Sequence, residues 1–196
     1  MVVLFALEYM TALGMTMQLL FLDSRRSRGR TVLTVYGTTA LVMMAVASIY
    51  LTAGPDTALR TYTLIAHVPA LLLLLALSRF RGWRMVFQLF SSILFCTLVQ
   101  HAAGLVYYLS GARFWALILA YAVLSAGVIL FLVRFLCPLF FRTLLELRQG
   151  WWLMCLVMAI YYVIIIYLIP GYVGLTLSST CLLYTSPSPR DYAASR

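Results

Sequence analysis

Six long apolar runs, separated by short breaks that hold almost all of the charge, limit what this chain can fold into more than any other feature. The runs fall at about 2–22, 32–53, 61–78, 85–109, 114–136 and 151–169. A helix needs roughly 20 residues to cross about 30 Å of hydrocarbon, and each run comes close to that length. Hydrophobic residues make up 64% of the 196 residues and charged ones 10%, a balance that leaves far more apolar surface than one small soluble core could hide. The expected fold is all-α integral membrane, with about six transmembrane helices, an outside N-terminus, short loops and one amphipathic surface helix. Residues 1–170 form its membrane domain, and 171–180 start an outer loop or a further span.

The breaks carry turn formers and charge: Asp23 to Thr31, Gly54-Pro55-Asp56, Arg79 to Arg84, Ser110 to Arg113, and Cys137 to Gly150. None is long enough to house a catalytic domain. The formal charge of +9 comes from arginine alone, since the chain has no lysine. The arginines are not spread as a nucleic-acid footprint would be. Arg25, Arg26, Arg28 and Arg30 form one cluster, Arg79, Arg81 and Arg84 a second, and Arg134, Arg142 and Arg148 a third. Arg60 and Arg113 stand alone in the alternate breaks. Ten arginines on one side against two on the other orient the helices by the positive-inside rule, with the clusters cytoplasmic. The expected location is the bacterial cytoplasmic membrane, and no nucleic-acid partner is expected. The opening Met1-Val2-Val3-Leu4 lacks a basic stretch, so a cleaved signal peptide is not expected.

Tryptophan favours the headgroup level, and Trp83, Trp115, Trp151 and Trp152 all fall at expected span ends, where they serve with the arginines as topology anchors. The composition changes at Cys181. The run Cys181-Leu182-Leu183-Tyr184-Thr185-Ser186-Pro187-Ser188-Pro189-Arg190-Asp191 resembles a translated sequencing adapter, so residues 181–196 are expected to be a non-native tail. Without them the chain keeps 12 arginines and 4 acids.

Metal, redox and hydrolase signatures are absent from the sequence: there is no CxxC pair, HExxH, GxSxG or glycine-rich phosphate loop. Cys96, Cys137 and Cys155 read as small apolar fillers. Ionisable groups inside spans are costly, about 2.5–3.5 kcal/mol at the bilayer centre, and three of them lie at one depth. Glu8, His67 and His101 each sit six to eight residues from an outer span end, some 9–12 Å deep at about 1.5 Å per residue. With Gln100 and Tyr107 they form a candidate outward-facing ligand pocket, against the alternative of polar contacts that merely join helices. Haem ligation by the two histidines is disfavoured, because Gly104 alone offers the room a porphyrin needs. No metal site and no cofactor within this chain is expected.

The stretch Pro138-Leu139-Phe140-Phe141-Arg142-Thr143-Leu144-Leu145-Glu146-Leu147-Arg148 mixes apolar and charged residues at near-helical spacing, with Pro138 suited to a first turn and Gly150 to a stop. It is expected to form a short helix along the cytoplasmic membrane surface. The order of six spans with an outside N-terminus, with Arg134-Phe135-Leu136-Cys137-Pro138-Leu139-Phe140-Phe141-Arg142-Thr143-Leu144-Leu145-Glu146-Leu147 after the fifth and Gly150-Trp151-Trp152 opening the sixth, resembles the N-terminal membrane domain of GHKL-type sensor histidine kinases, which include peptide-pheromone receptors of Gram-positive bacteria. The resemblance implies a truncated receptor, homodimeric, sensing an extracellular peptide or amphipathic ligand. It also implies a following seventh span, a phospho-accepting histidine and an ATP- and Mg-binding domain beyond this chain. Neither His67 nor His101 corresponds to that phosphoacceptor. A small transporter or channel and a structural membrane subunit are the other classes this sequence admits; a transporter would be expected to show broken helices or an inverted repeat.

Overall fold

The computed structural model describes residues 1–25, 27–146 and 150–164. Helices α1 (Val2–Phe21), α2 (Arg28–Ala53), α3 (Pro55–Leu77), α4 (Trp83–Leu109) and α5 (Phe114–Phe131) follow one another through short connections. A π-helical turn, Leu132–Leu136, joins α5 to α6 (Cys137–Glu146), and α7 (Trp151–Val163) comes last. No strand occurs among the described residues. The chain is an all-α, multi-pass membrane protein: α1 to α4, and the continuous segment Phe114–Arg142, are each long and apolar enough to cross a bilayer. The sixth expected span is described from Trp151 to Ile164. Its remainder, the 171–180 stretch, the 181–196 tail, Arg26 and Arg148 lie outside the described residues.

Helix starts follow local chemistry more than hydropathy. Helix α3 begins at Pro55, six residues ahead of the expected run, because proline suits the first turn and Asp56 there complements the helix dipole. Arg60 therefore lies in α3 and not in a loop. The whole connection from α2 to α3 is Gly54, whose φ of 87° is open to glycine and strained for other residues.

Residues 1–158 form one packed unit in which α1 is the central wall. One face of α1, with Leu7 and Met15, packs against Val35, Val42 and Val46 of α2 and Leu73 and Leu77 of α3. The other face, with Leu13, Met17 and Phe21, packs against Phe87 and Val99 of α4, Tyr121 of α5, Phe140 of α6 and Trp151 of α7. Leucines and valines on the outer surfaces of α2 to α5, such as Leu33, Leu41, Leu105 and Leu119, are exposed, as a lipid-facing belt requires. Residues 159–196 form a second unit, of which 159–164 are described and helical.

The helix expected to start at Pro138 instead continues from α5 without a break, and is described as far as Glu146. The Cys137 N–H donates to the Leu132 carbonyl, five residues back, which is the π pattern. Pro138 has no N–H and its ring crowds the carbonyl four residues earlier. The widened turn gives that ring room, so the helix runs through Pro138 and does not restart there. Beyond the turn Phe140 is buried: its ring lies 4.7 Å from Phe21 and 5.5 Å from Phe87, centroid to centroid. Helix α6 thus packs an aromatic side onto the bundle.

Candidate functional site

The five residues expected to form the pocket are all half-buried. His67 and His101 have the same arrangement: each ring Nδ1 is 2.7 Å from the carbonyl four residues earlier, Thr63 and Thr97 respectively. A carbonyl only accepts, so in both rings the proton of this contact sits on Nδ1. The sequences behind this are parallel, Thr63-Leu64-Ile65-Ala66-His67 and Thr97-Leu98-Val99-Gln100-His101. The spacing of four puts threonine and histidine on one helix side. This repeated Thr-x-x-x-His spacing is visible in the sequence.

The residues that touch α1 are different ones. Tyr62 of α3 meets Thr11, hydroxyl to hydroxyl, at 3.2 Å, and the Cys96 thiol of α4 donates to the Met10 carbonyl at 3.5 Å. Each histidine lies five residues beyond one of these contacts, about 140° around its helix. Glu8 lies about 60° from the Thr11 direction, and about 120° from Gly14, which faces Cys96. At this level the polar contacts on α1 from α3 and α4 come from Tyr62 and Cys96, and both histidines are turned well away from those directions.

What α1 does gather is a layer of hydroxyls. The Tyr9 hydroxyl donates to the Tyr121 carbonyl at 3.2 Å and lies 2.7 Å from the Ser125 hydroxyl. The Tyr9 and Tyr121 rings are 4.6 Å apart and tilted, and Phe5 stands edge-on to Tyr121 at 6.0 Å. Thr11 and Tyr62 extend the layer to α3. Tyr9, Thr11, Tyr62, Tyr121 and Ser125 thus tie α1 to α3 and α5 at one level. In a bilayer such groups need internal partners, and here they find one another.

A second constellation closes the opposite end of the bundle. The connections α1–α2 and α3–α4 pair as a single antiparallel bridge, Ser24 with Ser78. The Arg25 N–H donates to Leu77 O at 3.0 Å and the Arg79 N–H to Asp23 O at 2.8 Å. Gln88, fully buried on α4, fastens it from within: its Nε2 donates to the Phe21 carbonyl at 2.9 Å, and its Oε1 accepts from the Ser78 hydroxyl at 3.0 Å. Ser24 and Thr31 hydroxyls meet at 2.6 Å.

Among the anchors, Trp83, Trp115 and Trp152 are exposed at helix starts. Trp151 turns inward: it is 5% exposed, edge-on to Phe87 at 5.4 Å and capped by the Arg84 guanidinium at 5.6 Å. Arg25, Arg28, Arg30, Arg79, Arg81 and Arg142 are exposed. The three cysteines do more than fill space. Besides Cys96, the Cys137 thiol is directed at Leu20 O at 3.9 Å and the Cys155 thiol at Trp83 O at 3.2 Å, so each reaches a main-chain carbonyl of another helix.

Among the described residues no group of three or more histidine, cysteine or acidic side chains is placed to hold a metal ion. The chemistry on offer is hydrogen bonding by hydroxyls and imidazoles inside an aromatic-rich bundle, with clustered positive charge at one end. No protein-family model, curated protein or solved structure matches this chain.

Proposed function

We propose that this chain is the membrane-embedded sensor region of a bacterial signal-transducing histidine kinase of the GHKL type, set in the cytoplasmic membrane with its N-terminus outside. The observation that carries the reading is the continuity of α1. Its Tyr9 and Thr11 join the hydroxyl layer, and twelve residues on from Tyr9, about 18 Å along the axis, the Phe21 ring meets that of Phe140 of α6 in a tilted contact. A peptide or other amphipathic ligand that altered the layer would bias α1, and α1 bears directly on α6 through Phe21 and through the Leu20 carbonyl that faces Cys137. Helix α6 belongs to the segment Arg134 to Leu147 on which the family resemblance rests, and it is the element through which a cytoplasmic domain would be reached. The proposed ligand-facing region also takes in Glu8, His67, Gln100, His101 and Tyr107.

The arginine clusters support the orientation, and the short connections support a sensor whose catalytic part lies outside these residues. Reading the uninterrupted gene past codon 180 tests the proposal. A seventh span, a helix with a phospho-accepting histidine and an ATP-binding domain are expected there. An immediate stop codon would overturn the kinase assignment in favour of a transporter, channel or structural subunit. The same read is expected to diverge from residues 181–196.

A further inference from the structure

The stretches 22–31 and 78–84 carry seven arginines and a single acid, Asp23, a local charge of +6. Like charges on two independent loops would move apart. Here the main chain holds them together, through Arg25 N–H on Leu77 O and Arg79 N–H on Asp23 O, and the Arg25 Nη2 reaches the Arg79 carbonyl at 3.4 Å. The Arg81 guanidinium likewise turns back onto the Leu75 carbonyl. The two guanidinium contacts, of Arg25 and Arg81, each use one N–H of the five that the group carries, and Arg25, Arg79 and Arg81 are exposed.

The place of this bridge fixes the ligand's chemistry. Helix α1 stops at Phe21, α2 starts at Arg28, α3 stops at Leu77 and α4 starts at Trp83, so the bridge lies at the headgroup level, whichever side of the membrane it faces. Trp83, 58% exposed beside it, is suited to the same level. A guanidinium pair matches phosphate oxygens, and a surface of +6 with one acid attracts a headgroup of net negative charge over a zwitterionic one. We propose that the Ser24–Ser78 bridge is a binding site for the phosphate of an anionic phospholipid, held by Arg25 and Arg79 with Arg81 at its rim. The inference is independent of the kinase reading and of orientation.

The test uses the full chain in detergent micelles, titrated with phosphatidylglycerol, phosphatidylcholine or inorganic phosphate and read by native mass spectrometry. The wild-type protein should retain phosphatidylglycerol at least about tenfold better than phosphatidylcholine, and raised salt should erode that preference. Arg25→Gln with Arg79→Gln should weaken retention about fivefold for each arginine removed, whereas Arg113→Gln, at the other end of the bundle, should leave it unchanged. Equal retention of both lipids by the wild type would overturn the proposal without recourse to any variant. So would an equal loss in the Arg113 variant, which would make the effect one of bulk charge, or displacement of the lipid by inorganic phosphate at equal concentration. Should the double variant fail to insert, Arg81→Gln, whose side chain lies on the exposed rim, gives the same reading with a smaller loss.

Discussion

Gln88 holds Ser78 by its Oε1 at 3.0 Å while its Nε2 holds the Phe21 carbonyl at 2.9 Å, so one buried amide on α4 fixes both the end of α1 and the turn after α3. The Ser78 hydroxyl also accepts from the Phe80 N–H at 3.2 Å, which completes a relay from α4 into the α3–α4 connection. Removing the amide leaves a hydroxyl and a carbonyl without their partner in a dry setting. Gln88→Leu should therefore destabilise the protein by about 1–3 kcal/mol. Unfolding in mixed micelles measures this; a change below about 0.5 kcal/mol would show that the amide is not needed to close this end.

Tyr9 and Ser125 test the hydroxyl layer. Tyr9→Phe keeps the ring against Tyr121 and removes the hydroxyl that reaches Ser125 at 2.7 Å and the Tyr121 carbonyl at 3.2 Å. Hydrogen bonds between membrane helices average about 0.6 kcal/mol and reach about 1.7. A double-mutant cycle of Tyr9→Phe with Ser125→Ala should return a coupling in that range, since the two groups are in direct contact. Additive effects would mean that the pair contributes no stability of its own.

The spans could be read from sequence because lipid asks only for length and hydropathy, and Val2 to Phe21 or Trp83 to Leu109 satisfy both without reference to any neighbour. The ties between spans could not. Tyr9 and Ser125 are 116 residues apart, and nothing in either local sequence names the other. Gln88 carries no local signal of its role, although it is one of the most buried side chains in the bundle. Trp151 was read as an interfacial anchor, because indole preference for the headgroup level carries no information about Phe87 and Arg84 waiting on α4. Position along each helix gives Glu8, His67 and His101 one depth, but rotation about the helix axis decides what each side chain meets.

Orientation has its own test. Ser27 is exposed in the first arginine-rich connection, immediately before the first residue of α2. With the native cysteines replaced, Ser27→Cys should resist an impermeant maleimide in intact cells and react once the membrane is opened, while a cysteine at Ala112, exposed at the opposite end, should react from outside. Labelling of the Ser27 site in intact cells would reverse the proposed topology.

Pro138 is the last test, and it bears on how α5 passes into α6. The π turn Leu132–Leu136 precedes the proline by two residues, and its Cys137 N–H to Leu132 O bond spans five residues, one more than an α-helix uses. That extra residue shifts the register of everything after it by about 100°, and the shift is part of what turns Phe140 inward onto Phe21 and Phe87. Pro138→Ala restores an N–H that can reach the Arg134 carbonyl and removes the ring that crowds it. The turn should then tighten to an ordinary α-helix, and residue 140 should swing away from α1. A disulfide cross-link between cysteines placed at Phe21 and Phe140, in a background without native cysteines, should form readily with Pro138 present and drop by about tenfold in the Pro138→Ala variant. Unchanged cross-linking would show that packing of α6 on α1, and not the proline, sets the π turn.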